Sequence, residues 1–242
     1  MGAIITADER ATDISINDHY RIQQVAGHQF LVNKHDDSLS WSLQSAQQEI
    51  EDLRPMAQGL VLDIGANIGG HSVAFAQTAQ RVIAFEPQPH TYRVLCANLA
   101  LNCCTNVEAH QVALGSREDR VLILPIDPRK DHASQGARLA GYGESVRLAT
   151  LDSFHFNPVS FVKIDVEEME LEVLQGAHEL LTTQSPIVYV EIHNDSLVGQ
   201  VGKYMLDLGY MGTERIVQYT AQRNVLTRGW LFWKEGRIAW VE

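Results

Sequence analysis

A glycine-rich segment at residues 61–72 carries side chains whose types and spacing suit the binding of a nucleotide-sized ligand. Gly65, Asn67 and Gly70 have the spacing of the G-x-G-x-x-G fingerprint, with asparagine in the place of the middle glycine. Glycine adopts positive φ without strain and lets the backbone approach a ligand closely, and asparagine is among the few other residues that tolerate this conformation. The segment therefore predicts a buried strand that ends in a tight turn and restarts as a helix beside a ligand pocket.

Two acidic residues near this turn indicate the kind of ligand. Glu86 ends a second apolar strand 21 positions after Gly65, where a carboxylate can bind the hydroxyls of a ribose. Asp63 stands two residues before Gly65, where a carboxylate would repel the pyrophosphate of a dinucleotide. It suits a ligand with positive charge, such as the sulfonium and amino group of S-adenosylmethionine. We therefore predict S-adenosylmethionine, with a nicotinamide cofactor or a pocket that has lost its ligand as the alternatives.

Ionisable side chains on two predicted central strands indicate where a reaction would take place. Because side chains alternate along a strand, Lys163 and Asp165 share one face of the first strand, and Glu191 and His193 share one face of the next. A buried ammonium needs a partner, which predicts an ion pair between Lys163 and Glu191. Asp165 and His193 then lie at the carboxyl ends of the strands, where open α/β sheets bind ligands. His193 is the first candidate for a general base and Asp165 the second.

The same residues allow a competing prediction, which is a divalent metal site. Asp165, Glu167, His193 and Asn194 all carry atoms that magnesium or another hard cation accepts as ligands. We expect no metal at this place and keep the metal site as the alternative.

The elements that position these residues alternate along the chain. From Gly59 onward, apolar strands alternate with helical segments, which predicts a Rossmann-like, doubly wound, mostly parallel α/β sheet with helices on both faces. The patterns predict strands at 60–64, 81–85, 107–113, 159–165 and 187–193, and helices near 69–79, 89–101, 169–183 and 196–208. Residues 210–219 and 229–234 have no long crossover between them, which predicts an antiparallel hairpin at one edge of the sheet.

Segments outside this alternation predict an N-terminal cap and an insertion. Residues 1–56 combine a short hairpin around Ala26 and Gly27 with a helix stopped by Pro55, and we expect them to form an arm or cap on a main domain of residues 57–242. Between extra strands at 120–124 and 145–149, residues 125–143 form a long polar stretch with several glycines. Such a stretch predicts either a lid over the substrate or a loop that is only mobile.

The composition restricts the class of partner. The chain has 242 residues, and a formal net charge of -11 with 19 Lys and Arg disfavours a protein that neutralises nucleic-acid phosphates. No apolar run approaches the roughly 20 residues that cross a bilayer, and the start of the chain has no signal-peptide core. We therefore expect a cytoplasmic protein that acts on a small molecule and binds neither nucleic acid nor membrane, and whose cap can also pack on a second subunit.

On these residues the chain resembles the FkbM family of S-adenosylmethionine-dependent methyltransferases. The matching blocks lie at 61–69, 84–87, 151–154, 162–167, 170–177 and 190–193. The block Lys-Ile-Asp-Val-Glu at 163–167, followed by Glu-Leu-Glu-Val-Leu-x-Gly-Ala, is the most specific of them. In one departure, Glu168 occupies a position at which the family commonly has glycine, so we expect the backbone or the width of the pocket to differ there.

The resemblance implies a class I methyltransferase fold and a set of cofactor contacts. Asp63, Gly65, Asn67 and Gly69 would hold the methionine part of the cofactor, and Glu86 would hold the ribose hydroxyls. The resemblance also implies O-methylation of a hydroxyl on a sugar, a lipid or a secondary metabolite. Methylation of nitrogen or carbon, or cofactor binding without catalysis in a larger complex, are the alternatives.

Overall fold

The computed structural model describes residues 14–127, 129, 142–192, 194–219 and 225–236. Its strands are β1 Ile14–Ser15, β2 Tyr20–Val25, β3 His28–Asn33, β4 Leu60–Ile64, β5 Arg81–Phe85, β6 Val107–His110, β7 Ala113–Leu114, β8 Asp119–Ile123, β9 Glu144–Ala149, β10 Val159–Ile164, β11 Ile187–Ile192, β12 Met211–Tyr219 and β13 Val225–Trp233. Its α-helices are α1 Asp37–Ser45, α2 Gln47–Leu53, α3 Gly70–Phe75, α4 Pro89–Leu101, α5 Glu170–Gln175, α6 His178–Thr183 and α7 Asp195–Asp207.

The central sheet has seven strands in the order β12-β13-β11-β10-β4-β5-β6. Strands β11, β10, β4, β5 and β6 are mutually parallel, while β13 pairs antiparallel with β11 and with β12. The central strands are apolar runs because parallel strands of this kind are covered on both faces. This arrangement confirms the predicted doubly wound sheet and the predicted antiparallel hairpin at its edge.

Helices cover both faces of the sheet, which fixes the direction of each strand side chain. Leu62 and Ile64 of β4 pack with α5 and α7 in the largest apolar cluster. Val61, one position away, faces the opposite side and packs with Phe75 of α3 and Phe161 of β10. Residues at alternate positions of β4 and β10 therefore face α2 and α3, and Asp63 and Lys163 belong to that side.

The described part of the predicted cap shares its core with the main sheet. The hairpin of β2 and β3 turns at Ala26 and Gly27, both with positive φ. Its Phe30 packs in one cluster with Ile68 and Leu95, and Leu53 of α2 packs with the opposite face of β4. The cap therefore borders the glycine-rich turn directly.

Three predicted elements are each divided into two in the structure. The strand predicted at 107–113 divides into β6 and β7, because β7 leaves the central sheet and pairs parallel with β9 in a second sheet with β8. The helix predicted near 169–183 divides into α5 and α6 at Gly176, where a Cβ atom would lie 2.0 Å from the carbonyl oxygen of Gly115. The cap helix divides into α1 and α2 around Ala46.

Two structural questions raised by the sequence concern the lid and the membrane. Within the predicted lid at 125–143, residues 128 and 130–141 lie outside the described residues, so the lid stays a prediction. None of the helices in the described ranges combines the length and the apolarity that a bilayer crossing requires.

Candidate functional site

The glycine-rich turn between β4 and α3 has the backbone conformation that its residues predict. Gly65, Asn67 and Gly69 all have positive φ, at 77°, 50° and 96°. The N–H groups of Gly65 and Ala66 donate hydrogen bonds to the carbonyl of Phe85, at 3.0 and 2.9 Å. A Cβ atom at Gly65 would lie 1.7 Å from the carbonyl oxygen of Asp165. The turn is therefore locked between the ends of β5 and β10, and Gly65 fits there because it has no side chain.

Glu86 is buried beside this turn and holds it in place. Its Oε2 accepts a hydrogen bond from the Asn67 N–H at 3.0 Å, and its Oε1 accepts one from the Gln88 N–H at 2.8 Å. Burial raises the pKa of Glu86 to about 7, although the two N–H donors act in the opposite direction. The carboxyl group can therefore change its protonation state near neutral pH.

One cleft at the carboxyl edge of the sheet brings together four of the predicted site residues: Gly65, Asn67, Glu86 and Asp165. Its apolar walls are formed by Ile64, Phe85, Val112, Leu114, Ile123, Val166 and Met169. An apolar cleft with a few convergent polar groups is the usual form of a small-molecule site.

Asp63 and Gly69 occupy different places. Asp63 is fully buried below the turn, where its Oδ2 accepts a hydrogen bond from the Ser72 hydroxyl at 2.5 Å and its Oδ1 lies 3.6 Å from Nζ of Lys163. Gly69 caps α3, where a Cβ atom would lie 2.8 Å from a methyl group of Leu95. Asp63 therefore supports the turn from below, and Gly69 ends the turn at the start of α3.

Lys163 is the centre of a buried polar cluster. Its side chain is 1% exposed, and its ammonium lies 3.2 Å from Oδ2 of Asp165 and donates to the carbonyl oxygen of Gly65 at 3.3 Å. Burial alone would lower the pKa of Lys163, but the negative charges of Asp165, Asp63 and other carboxylates outweigh burial and raise it. The lysine therefore remains charged and connects the glycine-rich turn to Asp165.

The sequence predicts the wrong ion-pair partner for Lys163, which is Glu191. The register of the sheet places Lys163 beside Asp63 on β4 and beside Tyr189 on β11, so Glu191 lies two positions further along its strand. Glu191 raises the pKa of Lys163 through its charge, whereas the ammonium makes its ion pairs with Asp63 and Asp165.

The two predicted catalytic residues have different outcomes. Asp165 follows β10 at its carboxyl end, lines the cleft, and has a side chain that is 27% exposed. His193 lies outside the described residues, so its role stays a prediction.

Of the predicted metal ligands, Asn194 instead caps α7 by accepting a hydrogen bond from the Ser196 N–H at 3.0 Å. Within the described ranges, no group of three or more His, Cys, Asp or Glu side chains is arranged to hold a metal ion.

The loop after β10 contains two glutamates in a conformation that favours glycine. Glu167 and Glu168 have φ values of 44° and 74°. The Glu168 N–H donates to Oε1 of Glu170 at 3.1 Å, and Oε1 of Glu168 accepts a long hydrogen bond from the Asn194 amide at 3.5 Å. The backbone at Glu168 therefore has the left-handed conformation that glycine favours. The chain departs from the family pattern there only by carrying a side chain.

Replacement of Glu168 by glycine tests the strain in this loop. Glu168→Gly should raise the free energy of unfolding by about 1 kcal/mol, because a left-handed conformation costs about 1–2 kcal/mol at a residue with a Cβ atom and part of this gain is offset by the flexibility of glycine in the unfolded chain. Urea unfolding measures the change. Glu179→Gly, in helix α6, is the control and should lower stability by about 1 kcal/mol. A loss of stability in Glu168→Gly would show that the side-chain contacts outweigh the strain.

One pair of ionisable residues next to the glycine-rich turn was not predicted from the sequence. Nε2 of His71 in α3 lies 2.9 Å from Oε1 of the buried Glu49 in α2. Burial would raise the pKa of Glu49, but the hydrogen bond and charge of His71, with the charge of Lys163, lower it below its ordinary value. His71 directly follows the glycine-rich turn and could have been noticed there, whereas Glu49 has no signal in the sequence.

Comparisons with known proteins agree with this geometry. The model of the methyltransferase FkbM domain matches residues 63–211. The hexuronic acid methyltransferase AglP of Haloferax volcanii is 27% identical over 190 residues, which cover 76% of this chain and 70% of that protein. A methyltransferase FkbM from Methylobacillus flagellatus has a similar structure, with a TM-score of 0.57 and 19% identity over 73% of this chain. TYW2 of M. jannaschii, solved in complex with AdoMet, gives a TM-score of 0.57 at 16% identity and covers 91% of this chain and 89% of that one.

These matches differ in how much of each protein they cover. The chain spans 57%, 70% and 46% of the lengths of three curated relatives, and 44% of the Methylobacillus flagellatus chain. At identities below 20%, the two structural matches show that the fold is shared. They confirm the class I methyltransferase fold.

Proposed function

Because the chain belongs to the FkbM methyltransferase family, we propose that it binds S-adenosylmethionine and transfers the methyl group to a hydroxyl of a small molecule. The observation that carries the cofactor proposal is the cleft in which the turn at Gly65, the buried Glu86 and the partly exposed Asp165 meet. The AdoMet bound by the structurally similar TYW2 supports the same choice.

The residues of the cleft fit the parts of this cofactor. The carboxylate of Glu86 can accept hydrogen bonds from the ribose hydroxyls, and the apolar walls suit an adenine ring. Asp165 offers a carboxylate to the positively charged sulfonium side of the molecule. Asp63, which the sequence predicts as a direct contact, is proposed instead to support the turn through Ser72 and Lys163.

The protein's residues would align the acceptor hydroxyl and help to remove its proton. When bound, S-adenosylmethionine supplies an activated methyl carbon, so alignment and exclusion of water are the main requirements on the protein. The ammonium of Lys163, 3.2 Å from Asp165, stabilises the ionised form of that carboxylate and makes it a weak base. Asp165 is therefore suited to orient the hydroxyl by accepting its hydrogen bond. His193 remains the proposed general base.

The proposed acceptor is a hydroxyl on a sugar. The name of AglP assigns that protein a hexuronic acid as its acceptor, and AglP covers most of the present chain in the comparison. Transfer of labelled methyl groups to a matched pair of probes, p-nitrophenyl β-D-glucoside and p-nitrophenyl β-D-glucuronide, tests the proposal. Methylation of amines but not of these hydroxyls would favour the alternative of N-methylation.

Ligand titration tests the cofactor separately from the acceptor. S-adenosylhomocysteine should bind and raise the melting temperature, whereas NADH should do neither, because the buried carboxylates near the turn oppose a pyrophosphate. Isothermal titration calorimetry and thermal denaturation give both results. Binding of NADH with no binding of S-adenosylhomocysteine would disprove the proposed cofactor.

The raised pKa of Glu86 predicts how cofactor affinity depends on pH. In the folded chain the protonated form is favoured up to about pH 7, so Glu86 contributes stability at low pH that is lost as the pH rises through about 7. Ribose hydroxyls donate to the ionised form, so binding is coupled to loss of this proton. The affinity for S-adenosylhomocysteine should therefore fall below pH 7, by up to about tenfold per pH unit.

Calorimetric titrations between pH 5.5 and 8 measure this dependence. The matched control is Glu86→Gln, in which the amide cannot titrate. The variant should bind more weakly at pH 8 and should lose the slope below pH 7. The same slope in Glu86→Gln and in the wild-type protein would assign the pH dependence to another group.

A further inference from the structure

The contact between Glu49 and His71 connects the N-terminal cap to the start of α3, directly after the glycine-rich turn. Their side chains are 2% and 13% exposed. Glu49 lies in α2, outside the residues 63–211 that match the family model, whereas His71 is the second residue of α3. The contact therefore brings a carboxylate from outside the matched family domain to the residue that follows the glycine-rich turn.

The geometry of the pair leaves one ring nitrogen directed away from Glu49. Because Nε2 of His71 faces the carboxylate, Nδ1 is the nitrogen that can contact a ligand. A buried carboxylate bonded to an imidazole fixes the orientation of the ring. His71 is the second residue of α3, which directly follows the turn whose Gly65 and Asn67 line the cleft.

The charge around the pair favours a ligand group with positive charge. Four carboxylates, those of Glu49, Asp63, Asp165 and Glu191, interact with the single ammonium of Lys163. A ligand ammonium placed beside His71 would therefore be attracted by these carboxylates.

The amino-acid end of the proposed cofactor belongs beside the glycine-rich turn. The resemblance assigns the methionine part to this turn, whose Gly65 and Asn67 line the cleft, and α3 begins directly after it. This end carries an ammonium and a carboxylate. A neutral His71 can accept a hydrogen bond from the ammonium through Nδ1, and a protonated one can donate to the carboxylate.

We propose that His71, oriented by Glu49, binds the amino-acid end of the S-adenosyl cofactor. The inference rests on the proposed cofactor and deepens it. His71 is the binding group, and Glu49 is a positioning residue that acts through it. The N-terminal cap thus contributes to cofactor affinity without touching the nucleoside.

Comparison of two ligands separates this role from a structural one. S-adenosylhomocysteine carries the amino-acid end, whereas 5′-methylthioadenosine is the corresponding nucleoside thioether without it. His71→Ala should lower the affinity for S-adenosylhomocysteine by about 10- to 100-fold, which is the usual effect of losing a hydrogen bond to a charged group. The same substitution should change the affinity for methylthioadenosine by less than about twofold. Glu49→Gln should act in the same direction but less strongly. His71→Asn should recover part of the loss, because its amide can hydrogen-bond near the position of Nδ1.

Calorimetry at one pH, with the melting temperature of each variant, provides the measurement. The control is His178→Ala, which removes an exposed histidine of α6 whose Nδ1 lies 3.0 Å from the hydroxyl of Tyr204. The affinities of this variant for the two ligands should stay unchanged. Equal weakening of both ligands in His71→Ala would assign the pair a structural role and overturn the inference. So would an unchanged affinity for S-adenosylhomocysteine.

The wild-type protein distinguishes this inference from the cofactor proposal. If it binds methylthioadenosine as tightly as S-adenosylhomocysteine, the amino-acid end has no binding site, and only the present inference fails. If it binds neither ligand, the proposed cofactor fails, and the inference fails with it.

Discussion

Gly65→Ala should lower the free energy of unfolding by about 3–5 kcal/mol and abolish binding of S-adenosylhomocysteine, because two penalties coincide at this position. The φ of Gly65 is 77°, a conformation that costs alanine about 1 kcal/mol or more. The new Cβ atom would lie 1.7 Å from the carbonyl oxygen of Asp165 and 2.8 Å from its carbonyl carbon. Both obstacles are backbone atoms, so the turn and the loop after β10 must separate.

Two other glycines provide matched controls for Gly65→Ala. Gly27 has a φ of 82° but open space around its Cα, so Gly27→Ala should show the cost of the conformation alone, about 1 kcal/mol. Gly199 lies in α7 with open space, and Gly199→Ala should raise stability by about 0.5–1 kcal/mol. Urea unfolding and calorimetry with S-adenosylhomocysteine give the results. A Gly65→Ala protein that loses no more stability than Gly27→Ala would show that the contact with Asp165 is readily relieved.

The sequence predicts the elements of this fold well because most of its signals are local. Alternation of apolar strands and helical segments predicts the parallel sheet, and the glycines and Asn67 predict a turn of positive φ, as observed. The distance of Glu86 from Gly65 along the chain predicts an acid beside the turn, and Glu86 lines the cleft there, while its contact with a ribose stays a prediction. Each of these inferences uses the residue pattern within one element or the spacing between elements that follow one another in the chain.

The parts of the site that could not be predicted depend on register and long-range packing. The partner of Lys163 is decided by the register of β10 against β4 and β11, which no local pattern encodes. The position of Asp63 below the turn depends on Ser72 and Lys163, which compete with any ligand for its carboxylate. Glu49 reaches the site because the cap packs on α3, a contact between segments 22 positions apart that the polar pattern of α2 does not indicate.

Lys163→Met should lower the free energy of unfolding by about 3–5 kcal/mol, because the substitution leaves two carboxylates without their ammonium in the interior. Methionine nearly fills the volume of the lysine stem, so the loss comes mainly from the charge and not from a cavity. The ammonium also donates to the carbonyl of Gly65, so the glycine-rich turn loses a support at the same time. Affinity for S-adenosylhomocysteine should therefore fall together with stability, measured by calorimetry and urea unfolding.

A double-mutant cycle separates the charge effect from packing. Asp63→Asn removes one of the two carboxylates, so Lys163→Met should cost about 1–3 kcal/mol less in that background than in the wild-type protein. Lys203→Met is the control, because Lys203 pairs with Asp207 at 2.6 Å on the exposed face of α7 and its loss should change stability by less than about 1 kcal/mol. A cost of Lys163→Met that is the same in both backgrounds would mean that Asp63 and Lys163 are not energetically coupled. In that case the ammonium would act on the site through Asp165 and Gly65 alone.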